Sequence, residues 1–466
     1  MPHRLPIPVI PAVVFLLALS SPPAVAQQAD ASADRGGPAT VVAADPSPAA
    51  PTPTETGSEA AEAPAQGQAQ IDELQRRIEV LAAEVEKLRS GETPQVELTE
   101  ERRRALGLAP SAAATYRRAT EGVSIAGYGE TLLENFASEN EAGRGGAPTT
   151  RLDFLRAILY AGYRFSDKFL FNSEIEIEHS NEISVEFAYV DYLANDNLTL
   201  RGGMILLPLG LTNEFHEPTV FIGAKRPETE QRIIPSTWRE NGAGILGSAG
   251  MLNFRAYVTN GFRGAAFTSA GLRGGRQKGG NALAANLAFS GRVDVTPIPG
   301  VYGGIGLYNG GSGQEQVVLD GARLDVGTTI VEVHGQAQLR GWDLRALFAE
   351  ASIDEAGAAS LALRLPATAP IAETMRGGYL QAGYNVLSQV ATEMAVVPYV
   401  RYERLNTQHR IPAGFTRDLA RDGRFTTLGV EVKPIPNVVI KTDYQWVRNA
   451  ADTGRNQFNI NLGYAF

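Results

Sequence analysis

The longest connection in the strand-bearing part of this chain, between Pro208 and Asn241, is rich in ionisable side chains. There Glu214, His216, Glu217, Lys225, Arg226, Glu228, Glu230, Arg232, Arg239 and Glu240 stand among prolines at 218, 227 and 235. Guanidinium groups pair anionic oxygens bidentately and desolvate readily, so a cluster of them can select anions at one narrow point. A second arrangement stays open, in which Arg226, Arg232 and Arg239 pair with Glu228, Glu230 and Glu240 and only fix the segment in place. Other chemistries are thinly represented. The chain has no Cys, which removes disulfides, thiolate metal sites and cysteine nucleophiles. His179, His216, His334 and His409 are far apart, in no metal-ligand spacing and beside no nucleophile motif, so neither a metal nor a cofactor is expected, and the chain does not read as an enzyme.

A charged segment this long needs a frame, and from Val123 onward the sequence supplies one with a period of two. Over 169–178, Phe169, Phe171, Ile175 and Ile177 share one face, and Asn172, Glu174, Glu176 and Glu178 the other. At the end, Phe458, Ile460, Leu462, Tyr464 and Phe466 alternate with Gln457, Asn459, Asn461 and Gly463. Sixteen such strands can be laid out, from 123–133 to 456–466, most about ten residues long, enough to cross a bilayer when tilted. They include 242–248, 282–295, 322–333 and 394–405. Short turns such as Ser166-Asp167 alternate with long connections such as 208–241, the asymmetry of a transmembrane barrel. The fold expected is all-β, a 16-stranded antiparallel transmembrane β-barrel over 121–466 with its ends on the short-turn side. The Gly-rich stretch 271–280, with Arg273, Arg276 and Lys278, lacks the Gly-Lys-Ser/Thr ending of a phosphate loop and reads as an extracellular loop.

Ahead of the barrel, residues 1–26 read as a secretory signal ending in Ala24-Val25-Ala26. Residues 27–70 form an Ala/Pro-rich linker. Ile71, Leu74, Ile78, Leu81, Val85 and Leu88 mark a short coiled coil over 71–89, and 90–120 is a second linker whose Arg102, Arg103, Arg104, Arg117 and Arg118 could meet anionic headgroups. The net charge of −9 belongs to this tail: residues 27–100 hold 14 acidic and 5 basic side chains, while 101–466 hold 37 and 36. So balanced a body gives no basic face for nucleic acid.

Arg201-Gly202-Gly203, Pro208-Leu209-Gly210 and His216-Glu217-Pro218 are followed by Arg226-Pro227-Glu228, Ile233 to Glu240 and Gly242-Ala243-Gly244. Over 200–245 this resembles the phosphate- and polyphosphate-selective outer-membrane porins, porins O and P. The resemblance implies a homotrimer of sixteen-stranded barrels in a Gram-negative outer membrane, matured by the barrel-assembly machinery, with basic residues lining an anion-favouring pore. In the matching region Arg201, Lys225, Arg226, Arg232 and Arg239 are the candidates for that lining. Strand parity turns Arg255, Arg292, Arg345, Arg401 and Lys441 inward, but Glu174, Glu176 and Glu178 as well. The expectation is therefore a passive channel for small hydrophilic solutes and ions, constricted by 208–241. The alternative is a structural anchor tethering the outer membrane through the coiled coil, with peptidoglycan as partner.

Overall fold

Alternation of apolar and polar residues makes one face of each strand suited to hydrocarbon and the other to water, and only a closed sheet avoids leaving unpaired edges. The computed structural model describes residue 76, residues 95–146 and residues 149–466. The expected signal peptide and first linker, and all of the expected coiled coil but residue 76, fall outside these residues. The chain divides into Met1–Arg77 and Ile78–Phe466, and the second unit holds the barrel.

Its strands are β1 (Gly122–Phe136), β2 (Arg151–Arg164), β3 (Phe169–Glu178), β4 (Glu182–Asn195), β5 (Leu198–Leu206), β6 (Arg239–Ala249), β7 (Leu252–Asn260), β8 (Leu287–Ile298) and β9 (Val301–Gly310). After a small hairpin of β10 (Val318–Leu319) and β11 (Ala322–Arg323) come β12 (Thr328–Leu339), β13 (Trp342–Ile353), β14 (Thr374–Tyr384), β15 (Ala395–Arg410), β16 (Asp422–Ile435), β17 (Val438–Asn449) and β18 (Gln457–Ala465). Without the hairpin, sixteen antiparallel strands close into a barrel, with β1 pairing β18 from Tyr128↔Ala465 to Phe136↔Gln457. The expected strand count and closure are therefore observed.

The outer face carries Leu159, Ile177, Val258, Val293, Phe348, Leu380, Val400, Ile440 and Leu462, all exposed, while Arg255, Glu174, Lys441 and Asn461 on the same strands point inward and are buried. Among the described residues no helix is long and apolar enough to cross a membrane. Several strand ends differ from expectation. β12 runs 328–339 instead of 322–333, because the β10–β11 hairpin occupies the earlier residues. β8 starts at Leu287, β15 extends to Arg410, and β6 begins at Arg239, making that arginine a strand residue and not a loop residue.

The larger correction concerns 90–120, whose described part is no free linker. Helices α1 (Glu100–Ala105) and α2 (Ala114–Arg117) lie inside the barrel at its short-turn end. Tyr116 Oη donates to Asp191 of β4 at 2.7 Å, and Asn172 Nδ2 of β3 donates to the Ala112 carbonyl at 2.9 Å. Leu106, Leu108, Ala109 and Ala113 share an apolar cluster with Tyr128, Tyr160, Phe187 and Tyr257 of the wall. The arginines expected at headgroups turn elsewhere: Arg103 Nη1 donates to the Leu108 carbonyl at 2.8 Å, and Arg104 lies 4.1 Å over the Tyr302 ring.

Candidate functional site

The connection between β5 and β6, residues 207–238, folds inward across the barrel. Two acidic residues, one on the wall and one in the loop itself, explain why. Glu403 of β15 accepts from the backbone N–H groups of Glu228 and Thr229 at 2.8 and 2.7 Å, satisfying the first turn of helix α3 (Glu228–Arg232). Glu230 accepts from Leu211 N, Thr212 N and Tyr379 Oη at 2.6 to 2.8 Å, folding the loop back on itself and onto β14. Leu209, Ile233, Ile234 and Trp238 complete the attachment in an apolar cluster, where Trp238 stacks on Phe262 at 4.2 Å.

The basic residues of the opposite wall then hold the loop by its carbonyls. Lys433 donates to Thr219 O at 2.8 Å, Arg345 to Val220 O at 2.9 Å, Lys441 to Phe221 O at 2.7 Å and Arg401 to Lys225 O at 3.1 Å. The stretch 219–226 thus becomes a septum with a chamber on either side. On the short-turn side a cavity of about 440 Å³ is bordered by Val220, Ile222, Arg103, Arg104, Trp342, Arg345 and Lys433. On the long-loop side one of about 510 Å³ is bordered by Phe221, Ala224, Lys225, Arg226, Arg156, Glu178 and Arg273.

Of the five basic residues expected at a constriction, the structure brings Lys225 and Arg226 together at the outer chamber. Lys225 pairs with Glu134 at 2.8 Å. Arg226 meets no carboxylate among the described residues: its guanidinium reaches the His216 carbonyl at 3.5 Å and lies 5.9 Å from the Phe221 ring centre. Arg232 pairs with Glu228 at 2.6 Å. Arg239 instead stands 3.7 Å from Glu186 and 3.9 Å from Glu176, while Glu240 accepts from Asn260 and Gln277. Arg201 borders neither chamber. It is engaged with Asp191 at 2.8 and 2.9 Å, stacked 3.9 Å over Tyr189, and covered by the N-terminal segment.

The inward set fares similarly. Arg255 and Arg292 converge on Asp294, with His334 and Glu332 extending the network. Glu174 and Glu176 are buried, while Glu178 faces the outer chamber.

Sequence reasoning set Arg273 aside as part of a glycine-rich outer loop. It lines the outer chamber beside Arg226, donating to the Ser236 carbonyl and pairing with no carboxylate among the described residues. Burial, then Arg156, lowers the Arg226 pKa, and burial, then Arg226, lowers that of Arg273. Both guanidiniums remain charged at neutral pH, and the lowering reports burial first, with the neighbouring guanidiniums only partly offset by Glu130 and Glu186 at Arg226 and by Glu178 and Glu186 at Arg273.

No family model matches the chain. A protein of Aquifex aeolicus (strain VF5), described only as uncharacterized, is 37% identical over 355 residues, covering 72% of this chain and 78% of its own. The chain belongs to the family of that protein. Among solved structures it is similar to the anion-selective porin from Comamonas acidovorans (12% identity, 74% of this chain and 100% of that one, TM-score 0.47). It is also similar to the outer membrane channel DcaP of Acinetobacter baumannii (10%, 75% and 98%, 0.48) and to OprB of Pseudomonas putida (9%, 74% and 94%, 0.48). Likenesses this distant bear on neither solute nor assembly.

Proposed function

We propose that this barrel is an outer-membrane porin, a passive path for small hydrophilic solutes and ions, constricted by residues 219–226. The observation that carries this reading is the pair of charged chambers on opposite rims, separated by that one loop segment, inside a wall whose outer face is apolar. Selection would come from width and fixed charge, with no turnover. The pair Arg226 and Arg273, both bordering the outer chamber without an ion-pair partner among the described residues, favours anions, and phosphate suits two guanidiniums on one cavity. A homotrimer with both chain ends in the periplasm belongs to the same reading. The test is the reversal potential of the purified protein in a planar bilayer under a KCl gradient, followed by titration of phosphate. Conductance steps with anion preference and block by phosphate are expected. An absence of conductance from folded protein would overturn the channel reading.

The seating of residues 95–118 in the lumen supports a second reading, a barrel that anchors a periplasmic tail. Deleting residues 27–94 separates the two, since a porin still conducts and a tether loses its envelope phenotype.

A further inference from the structure

Glu174 of β3, Glu186 of β4 and His216 of the inward loop are far apart in sequence, yet their side chains meet in one buried pocket between the wall and the loop. The local backbone is arranged for this. β3 and β4 pair as Glu174↔Phe187 and then Ile175↔Val185, so Glu186 is the extra residue of a β-bulge. A bulge lets two consecutive side chains face the same way, and Glu186 and Phe187 are both buried inside the barrel. Without it, one of the two would point to the outer face.

The geometry of the three ligands is specific. His216 Nε2 lies 3.5 Å from Glu174 Oε1 and 3.4 Å from Glu186 Oε2. These are too long for good hydrogen bonds. They match the ligand-to-ligand edge of about 3.4 Å expected for a tetrahedral ion with bonds of about 2.1 Å. Glu174 Oε2, both Glu186 oxygens and His216 Nε2 have no hydrogen-bond partner, although all three residues are at least 99% buried. Such a concentration of unpartnered buried polar atoms in one place is costly unless something joins them. The other ring nitrogen fixes the tautomer: His216 Nδ1 is 2.8 Å from the Asn213 carbonyl, which can only accept. Nδ1 therefore carries a proton, which leaves Nε2 as the ring nitrogen that can give its lone pair to an ion in the pocket, as in a metal-bound histidine held by an outer hydrogen bond.

Charge points the same way. Arg156 pairs with Glu130 and Glu176, and Arg239 faces Glu176 and Glu186. With Glu174 added, four carboxylates face the guanidiniums of Arg156 and Arg239, and Arg226 lies buried close to Arg156, Glu130 and Glu186, so the cluster keeps an excess of negative charge that a cation reduces. We propose that Glu174, Glu186 and His216 bind a divalent first-row transition ion, which ties the constriction loop to strands β3 and β4. An imidazole with two carboxylates suits zinc and its neighbours better than calcium or magnesium. The site is independent of what the barrel conducts, because it is read out by metal content alone.

The test is elemental analysis of the full-length protein, purified in detergent from cells grown with added zinc and dialysed into metal-free buffer. About one zinc per chain is expected, with tetrahedral cobalt(II) absorption when cobalt replaces it in the medium. Glu186→Gln, nearly the same size, should lower the content at least tenfold, as should His216→Ala, while Glu178→Gln retains it. Folding of each variant is checked by its heat-modifiable gel mobility. Wild type free of every first-row divalent metal would overturn the site and leave a protonated His216 bridging two carboxylates. Zinc retained equally by the folded Glu186→Gln variant would overturn it as well.

Discussion

Lys441 of β17 sits with its ammonium 3.7 Å above the Phe221 ring while donating to the Phe221 carbonyl at 2.7 Å. One wall residue thus grips both the backbone and the side chain of the septum. A charged hydrogen bond is worth about 1.5–3 kcal/mol and a desolvated cation–π contact up to about 2 kcal/mol. Lys441→Met is therefore expected to free residues 219–226, raising open-channel noise and lowering the unfolding temperature of the barrel. Quiet, unchanged single-channel traces would show that the other three wall contacts suffice.

Replacing Arg226 and Arg273 together with Gln removes the two guanidiniums at the outer chamber that have no ion-pair partner among the described residues. The chloride-to-potassium permeability ratio should fall severalfold at low salt. At 1 M salt, where screening acts within about 3 Å, wild type and variant should converge. A ratio unmoved at 50 mM would show that these residues only brace the loop.

Asp191 accepts from Arg201 twice and from Tyr116 once, so it joins the wall to the N-terminal segment. Asp191→Asn leaves a buried guanidinium without a counter-charge, at a cost of about 3–5 kcal/mol. Tyr116→Phe, which spares that pair, should cost about 1 kcal/mol. Chemical unfolding of both variants measures the difference, and equal losses would contradict the assignment.

Glu217 accepts from Ser111 N at 2.8 Å and Ser111 Oγ at 3.2 Å, clasping the N-terminal segment to the loop. Glu217→Ala orphans a buried N–H and should cost about 1–3 kcal/mol. Glu217→Gln keeps an acceptor and should stay close to wild type. Protease sensitivity around residues 95–118 reports the loosening, and equal resistance in Glu217→Ala would count against the clasp.

The barrel was legible because its signal repeats sixteen times. A two-residue period survives uncertainty at any one strand end. Where the period blurs, the boundaries drifted. Residues 334–339, His-Gly-Gln-Ala-Gln-Leu, put only Gly335, Ala337 and Leu339 on the apolar face where β12 nears the rim, a weak signal, and the neighbouring hairpin imitated a strand start. The inward orientation of Glu174, Arg255 and Lys441 followed from parity alone, but their partners did not. Parity says which face a side chain takes, while Glu186 beside Glu174 depends on the register of β3 against β4, bulge included. The N-terminal segment was missed for another reason. Helices of six and four residues leave no periodic trace, and the Ala/Pro-rich run around Leu106 to Ala114 reads as linker until a lumen is there to receive it.

The septum at 219–226 has an electrical consequence. Two charged cavities in series, with the stretch 219–226 bordering both, act as a voltage divider whose narrowest part lies at that stretch. A potential applied across the whole barrel then falls most steeply between the side bearing Val220 and Ile222 and the side bearing Lys225 and Arg226. Each elementary charge crossing the full drop gains about 2.3 kcal/mol per 100 mV. That is comparable to the Lys441 grip on Phe221, so a modest voltage of one sign pulls against the contact that holds the septum, and the opposite sign presses it home.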